Sequence, residues 1–455
     1  MPEDVKSIYP ADDVRLGSDA SGIFLTREGV NVFHRLAIAE ALAFALLGAT
    51  GDPGQASQAL SECIGESVAQ GWVDRVLRRW GAYLTGSHVR ELDPNLFRGI
   101  DLQSYQSRHG FNREAAPAAI TWLVTLACNR RCPYCFYQVT PWQADAKSSP
   151  PDATFPREAA IRMVREMGEL GSGDLYLTGG EPLLRKDLPD IVEAGSNAGV
   201  RVRMYTKFLV DPGLAHKLRE AGTYEITVSL DDARPKQAGA LAGSSGYLGE
   251  AKATICNLLG AGLRVSANAV ATRLNISHLD ELVGELQDMG VPRVVISPFS
   301  LPYPVRPSAS RLLPESQPLR PLVEELNRKF TNKIAVEVGS AETPEEGTSC
   351  GERMVCEVGL RTLDVLPDGR VTRCRYMWYE PNLIVGDLKE ESLLEIWSGS
   401  RLQARYAPSE KLYEDTACNG CRSFAGCHER GRCFLTAKMK SSRIFGPDSY
   451  CKAEQ

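Results

Sequence analysis

Six runs of alternating or β-branched apolar residues recur through the middle of the chain, at 120–126, 174–178, 200–205, 224–230, 264–270 and 293–297. Their two-residue period predicts strands. Between them, apolar positions three or four apart mark amphipathic helices at 156–170, 187–198, 246–260 and 277–289, several opening on Pro, Asp or Ser. Repeated alternation of strand and helix predicts an α/β fold, a parallel sheet closing part-way into a (β/α)6 barrel. Upstream, short strands at 14–16 and 23–26 form a hairpin, and helical patterns follow at 32–47, 53–64 and 68–84, so residues 1–95 read as a separate α+β module. Downstream, the proline-punctuated stretch 300–307 leads out of the barrel to a helix at 314–330 and a strand at 333–338. Farther on, T-L-D-V-L-P-D-G-R-V-T-R-C reads as a hairpin turned at Pro-Asp-Gly.

Chemistry enters where the first barrel strand ends. Cys128, Cys132 and Cys135 stand there in the order C-N-R-R-C-P-Y-C. Three thiolates suit an iron-sulfur cluster that leaves one iron open, whereas a structural zinc or an electron-transfer cluster takes four protein ligands. A zinc knuckle completed by a distant ligand is the alternative. The second strand runs straight into Gly179-Gly180-Glu181-Pro182, where paired glycines allow close backbone approach and the proline fixes the exit.

The cysteine spacing and the G-G-E-P turn together resemble the radical S-adenosylmethionine (SAM) enzymes. That resemblance implies a 4Fe-4S cluster on Cys128, Cys132 and Cys135, SAM chelated to its open iron, and one-electron cleavage of SAM to a 5'-deoxyadenosyl radical. It also implies that Tyr134 lies against the adenine, that Gly179, Gly180 and Glu181 meet the SAM amino group, and that Ser229 and Asn268 help to seat the cofactor. The third strand departs from the family pattern, ending in Thr206-Lys207-Phe208, so no SAM contact is expected there.

Eight more cysteines, at 350, 356, 374, 418, 421, 427, 433 and 451, crowd the last quarter. A chain with so large a predicted core needs no disulfide stapling, which leaves metal binding as the better account. Thiolates suit iron-sulfur clusters and would also suit zinc, with His428 a stray ligand. The array resembles the SPASM domain of peptide-modifying radical SAM enzymes. By that resemblance, Cys350, Cys356, Cys374 and Cys433 hold a nearer auxiliary 4Fe-4S cluster, and Cys418, Cys421, Cys427 and Cys451 a farther one, making three clusters in all. The five residues between Cys427 and Cys433 exceed the usual SPASM spacing.

The amino-terminal module resembles the PqqD-like RiPP recognition element, a winged-helix fold that pairs an edge strand with a peptide leader. A dimerisation or DNA-binding module is the other reading, but 57 acidic against 52 basic residues, a formal charge of -5 and no basic tract argue against nucleic acid. The longest apolar stretch contains Glu40 and is too short to span a bilayer, and the first residues do not form a signal peptide. Five segments result: 1–95 recognition module, 96–116 linker, 117–310 radical SAM core, 311–345 bridge, and 346–455 SPASM domain. The expectation is a cytoplasmic radical SAM maturase that takes electrons from a flavodoxin- or ferredoxin-type reductant and installs a thioether, C-C crosslink or similar oxidative modification in a precursor peptide or small protein. Its alternatives are a formylglycine-generating sulfatase maturase, a SPASM enzyme of a small metabolite, and a non-catalytic iron-sulfur electron carrier.

Overall fold

The structure, a computed structural model, describes residues 14–19, 22–27, 30–36, 38–64, 69–70, 73, 76–77, 84, 116–139, 155–302, 305, 307–314, 319–330, 333–339, 356–404, 408–429, 432–449 and 451. Six parallel strands, β4 (Ala119–Leu123), β5 (Asp174–Thr178), β6 (Arg201–Thr206), β7 (Glu225–Ser229), β8 (Val265–Ala271) and β9 (Arg293–Pro298), lie side by side in chain order, as the alternating pattern predicts. Helices α3 (Arg157–Glu169), α4 (Leu188–Asn197), α5 (Pro212–Glu220), α6 (Pro235–Ala242), α7 (Tyr247–Gly260) and α8 (Leu279–Asp288) connect them. One strand face is apolar. Leu175, Leu177, Val202, Met204, Ile226 and Val228 are buried against helix residues such as Met163, Ile191, Leu218 and Ile255. The other face carries Asp174, Tyr176, Arg203, Tyr205, Glu225 and Thr227, because successive side chains alternate across a strand. A partial barrel therefore has an oily outer wall under its helices and a polar inner wall.

The sheet does not stop at six strands. At one edge β10 (Ala335–Val338), reached through helix α9 (Leu319–Lys329), adds in parallel to β9. At the other edge β11 (Thr362–Val365) pairs in parallel with β4, and β12 (Arg370–Thr372) and β13 (Ile384–Asp387) follow antiparallel, giving ten strands. The Pro-Asp-Gly hairpin is thus built onto the barrel. Gly369 turns it at φ +88°, where only glycine is unstrained, and a Cβ there would come within 2.5 Å of the Phe155 ring. Phe155 in turn packs edge-on against the fully buried Trp122.

The amino-terminal module is a separate antiparallel sheet of β1 (Val14–Asp19), β2 (Gly22–Arg27) and β3 (Val30–Leu36), followed by α1 (Ile38–Thr50) and α2 (Pro53–Ile64). Here one expectation is corrected. The helix expected from residue 32 begins at Ile38, and V-N-V-F-H-R-L instead pairs with β2 as a third strand. Its apolar residues alternate, and the alanine-rich run after it blurred the boundary. Most of the helix expected at 68–84, and the linker apart from Ala116, lie outside the described residues.

Candidate iron-sulfur and SAM site

The cysteine loop leaves β4 at the carboxyl end of the sheet, and its first residues are pinned by backbone hydrogen bonds. Val124 N donates to Thr178 O at 2.8 Å, Gly180 N to Thr125 O at 2.6 Å, and Glu181 N to Ala127 O at 2.8 Å. These bonds zip the G-G-E-P turn to the strand that carries the cysteines. They also explain both glycines. Gly179 adopts φ +126°, and a Cβ on Gly180 would stand 2.1 Å from the Ala127 carbonyl oxygen. The close approach expected of the paired glycines is therefore made to the cysteine loop itself. Gly180→Ala is expected to displace that loop and lower the iron bound per chain. Gly249→Ala in α7, where a Cβ meets nothing within 4 Å, should leave iron unchanged and raise stability by about 0.5–1 kcal/mol. Iron analysis and a thermal melt of both variants test the contrast.

Glu181 is buried and fully engaged. Its carboxylate accepts from Leu183 N at 3.2 Å, Thr206 Oγ1 at 2.8 Å and Lys207 N at 2.9 Å, so it fastens the end of β5 to the end of β6. Burial raises its pKa, and these donors work in the opposite direction.

Beside the loop lies a network that sequence reasoning missed. Asp231, just past β7, accepts from Tyr134 Oη at 2.6 Å and Lys207 Nζ at 2.6 Å through Oδ2, and from Val270 N at 2.9 Å through Oδ1. Lys207 also faces the rings of Tyr134 and Tyr247 at 5.6 Å and 5.0 Å. Burial alone would lower the Lys207 pKa, but the Asp231 carboxylate holds it well above the ordinary value. Tyr134, the aromatic expected to lie against adenine, is therefore anchored by its hydroxyl within the barrel mouth. The departure from the family pattern at Lys207 is thus no loop accident: its ammonium meets a carboxylate one strand away.

Cys132 is buried, and Cys128 and Cys135 are half-buried. Burial raises the pKa of Cys128 and Cys132; Lys207 and Arg130 oppose this at Cys132, and Arg131 does so at Cys128. Arg130 is itself buried, pairing with Glu250 and donating to Lys207 O at 3.0 Å. Three thiols attended by Arg131 and by Lys207 and Arg130, the latter two also paired with Asp231 and Glu250, fit an anionic cluster, whose charge the site must offset. Ser229 lies at the inner-wall end of β7, and its carbonyl accepts from Tyr247 Oη. The Asn268 side chain on β8 is bonded to Ser297 Oγ at 2.7 Å.

Six of the described tail cysteines fall into two groups, Cys356, Cys374 and Cys433 in one and Cys418, Cys421 and Cys427 in the other. Burial raises the Cys374 pKa, and the thiols of Cys433 and Cys356 stand near enough to raise it further. This first group adjoins the barrel loop. Phe136, next to Cys135, lies tilted against Tyr376, two residues past Cys374, with ring centroids 4.5 Å apart, and both rings pack with Met377, Leu383 and Phe434. In the second group, Arg432 Nη1 lies 3.8 Å from Cys418 Sγ and is within electrostatic reach of Cys427. Cys421 N bonds back to Cys418 O at 3.2 Å. Cys451 is tied instead to Cys433 of the first group through Asp448, whose carbonyl accepts from Cys451 N at 3.0 Å and whose Oδ2 accepts from Cys433 N at 3.2 Å. Cys350 lies outside the described residues. His428 packs among Tyr413 and Phe424, next to Cys427. Among the described residues, no three His, Cys, Asp or Glu side chains converge as a single metal ion requires. A cubane makes a different demand, since each thiolate binds a different iron.

Residues 122–286 match the Radical SAM superfamily, and residues 356–422 match SPASM, an iron-sulfur cluster-binding domain. The chain is 25% identical over 319 residues to the PqqA peptide cyclase of Methylocella silvestris, covering 68% of this chain and 82% of that one. It is 24% identical over 337 residues to the AdoMet-dependent heme synthase of Methanosarcina barkeri, covering 69% and 92%. Its fold is similar to that of Streptococcus suis SuiB, solved bound to S-adenosylmethionine (TM-score 0.63, 16% identity) and to the precursor peptide SuiA (TM-score 0.62, 15% identity); each covers 98% of this chain and 100% of that one. The chain therefore carries a radical SAM domain followed by a SPASM iron-sulfur cluster-binding domain.

Proposed function

We propose that this chain is a radical SAM maturase that installs an oxidative crosslink, thioether or carbon-carbon, in a precursor peptide. The observation that carries the reading is the joining of the SPASM hairpin to β4, which brings the Cys374 group against the loop of Cys128, Cys132 and Cys135 through Phe136 and Tyr376. When bound, the SAM-cluster pair supplies a one-electron cleavage whose carbon radical takes a hydrogen atom from an unactivated C-H bond.

The chain's own residues do the rest. Cys128, Cys132 and Cys135 would hold the first cluster, with Lys207, Arg130 and Arg131 offsetting its charge. Tyr134, the turn from Gly179 to Glu181, Ser229 and Asn268 line the end of the sheet where SAM would sit. Of the auxiliary ligands, Cys356, Cys374 and Cys433 fall together with Cys350 in one proposed set, and Cys418, Cys421, Cys427 and Cys451 make the other. A crosslink formed from a C-H bond removes two electrons net, and such clusters are suited to accept the second of them.

The amino-terminal sheet supports the substrate class. Its edge strands β1 and β3 are a form on which an extended leader can add as a further strand, as a PqqD-like recognition element would require. The PqqA cyclase and the SuiB-SuiA complex point the same way. The heme synthase favours a small-molecule substrate instead. The division into 1–95, 96–116, 117–310, 311–345 and 346–455, the three clusters and the flavodoxin- or ferredoxin-type reductant belong to the same reading. So does a cytoplasmic location, in keeping with the absence, among the described residues, of a helix long and apolar enough to cross a membrane.

Deleting residues 1–95 tests it. Full-length protein given SAM, dithionite and a displayed peptide library should yield products lacking two hydrogen atoms by mass spectrometry. The truncated chain should lose that activity and still cleave SAM. A full-length chain that modifies no peptide, or a truncation that keeps full turnover, overturns the reading and favours a metabolite substrate.

A further inference from the structure

The inner wall of the barrel holds a cavity of about 460 Å³ that the SAM site does not use, lined mainly by tyrosines, arginines and two glutamates along β5 to β10. From this cavity and its charge pattern we infer that the barrel floor is a carboxylate-binding subsite for the peptide substrate, with Arg264 as its anion-binding residue. The inference rests on the peptide reading above. Its evidence is independent.

Three carboxylates and four guanidiniums meet here. Asp174 binds Arg201 and Arg203, Glu225 binds Arg203 and Arg293, and Glu337 binds Arg293 at 3.1 Å, so every carboxylate is taken. Arg264 is the surplus cation. Among the described residues it meets no carboxylate, and it lies 4.4 Å over the ring of Tyr224, whose ring Arg203 also approaches, to 4.6 Å. A guanidinium over the face of an aromatic ring can still offer its N-H groups to a carboxylate, which takes two parallel bonds from it. Tyr205, 37% exposed, continues the wall toward the mouth. It sits two residues before Lys207, a rise of roughly 7 Å along the strand, so a peptide group bound on the floor lies beneath the cysteine loop on the same face.

A side-chain carboxylate or a free chain terminus would satisfy this site, and the probes separate them. Full-length, cluster-reconstituted protein is titrated with fluorescein-labelled, carboxyl-amidated alanine pentapeptides bearing Glu, Gln or Lys at the centre, and with the Gln peptide as a free acid. Either the Glu amide or the Gln free acid, and whichever it is names the source, should bind at least about tenfold more tightly than the Gln amide. The Lys peptide should be weakest. Arg264→Gln should abolish the preference and Arg264→Lys keep part of it; unchanged thermal melts would show that both variants fold. Equal affinities, a preference that survives Arg264→Gln, or displacement by an equal concentration of inorganic phosphate would overturn the assignment. If the preference holds and depends on Arg264 while no peptide is modified, the subsite stands and the maturase reading falls.

Discussion

Replacing Cys128, Cys132 and Cys135 together by Ala is expected to abolish 5'-deoxyadenosine formation and to lower bound iron from about 12 to about 8 per chain after anaerobic reconstitution. The size of the loss follows from how the loop is built. Its backbone is held by the G-G-E-P turn and its position by Tyr134 on Asp231, neither of which needs a thiol. The triple variant should therefore fold, and the remaining iron should report the tail alone. Cys256→Ala, an exposed cysteine outside both groups, should change neither quantity. EPR of the reduced protein adds a second readout, a SAM-perturbed signal present in the wild type and missing in the variant. A wild type with about 4 Fe and retained zinc would remove the auxiliary clusters and the oxidative chemistry built on them.

The parts of this machine differ in how plainly the amino-acid sequence announces them. The six barrel strands were legible because each is a short run of alternating or β-branched apolar residues, and the cysteine loop because its ligands are close in sequence. The tail hairpin was legible too, from Pro367-Asp368-Gly369. Its pairing with β4 was not. Thr362 and Ala119 are partners across more than half the chain, and no local signal announces a parallel neighbour so far away. Strand β3 was hidden by composition, since its alternating V-N-V-F runs into an alanine-rich helix with only one residue between the two elements. The Lys207–Asp231 pair was hidden by spacing: two polar residues at the ends of different strands look like loop residues until the sheet sets them side by side.

That pair predicts the second large effect. Asp231 is 1% exposed and Lys207 11%, so each charge depends on the other for its solvation. Asp231→Asn preserves the shape but strands a buried ammonium, and removing one partner of a buried pair costs about 3–5 kcal/mol. Lys207→Met strands the carboxylate, although Tyr134 and Val270 still donate to it. The double variant removes both charges and should recover part of the loss, because what hurts in each single variant is the charge left behind. Thermal melts should thus rank wild type highest and Asp231→Asn below the double variant. Iron content should fall in Asp231→Asn and stay low in the double variant, since both lose the carboxylate that receives the Tyr134 hydroxyl and the double variant also loses a cation beside the cysteine loop. Additive losses, or an Asp231→Asn chain that melts with the wild type, would mean that the two charges are solvated separately and that the loop is held by its backbone alone.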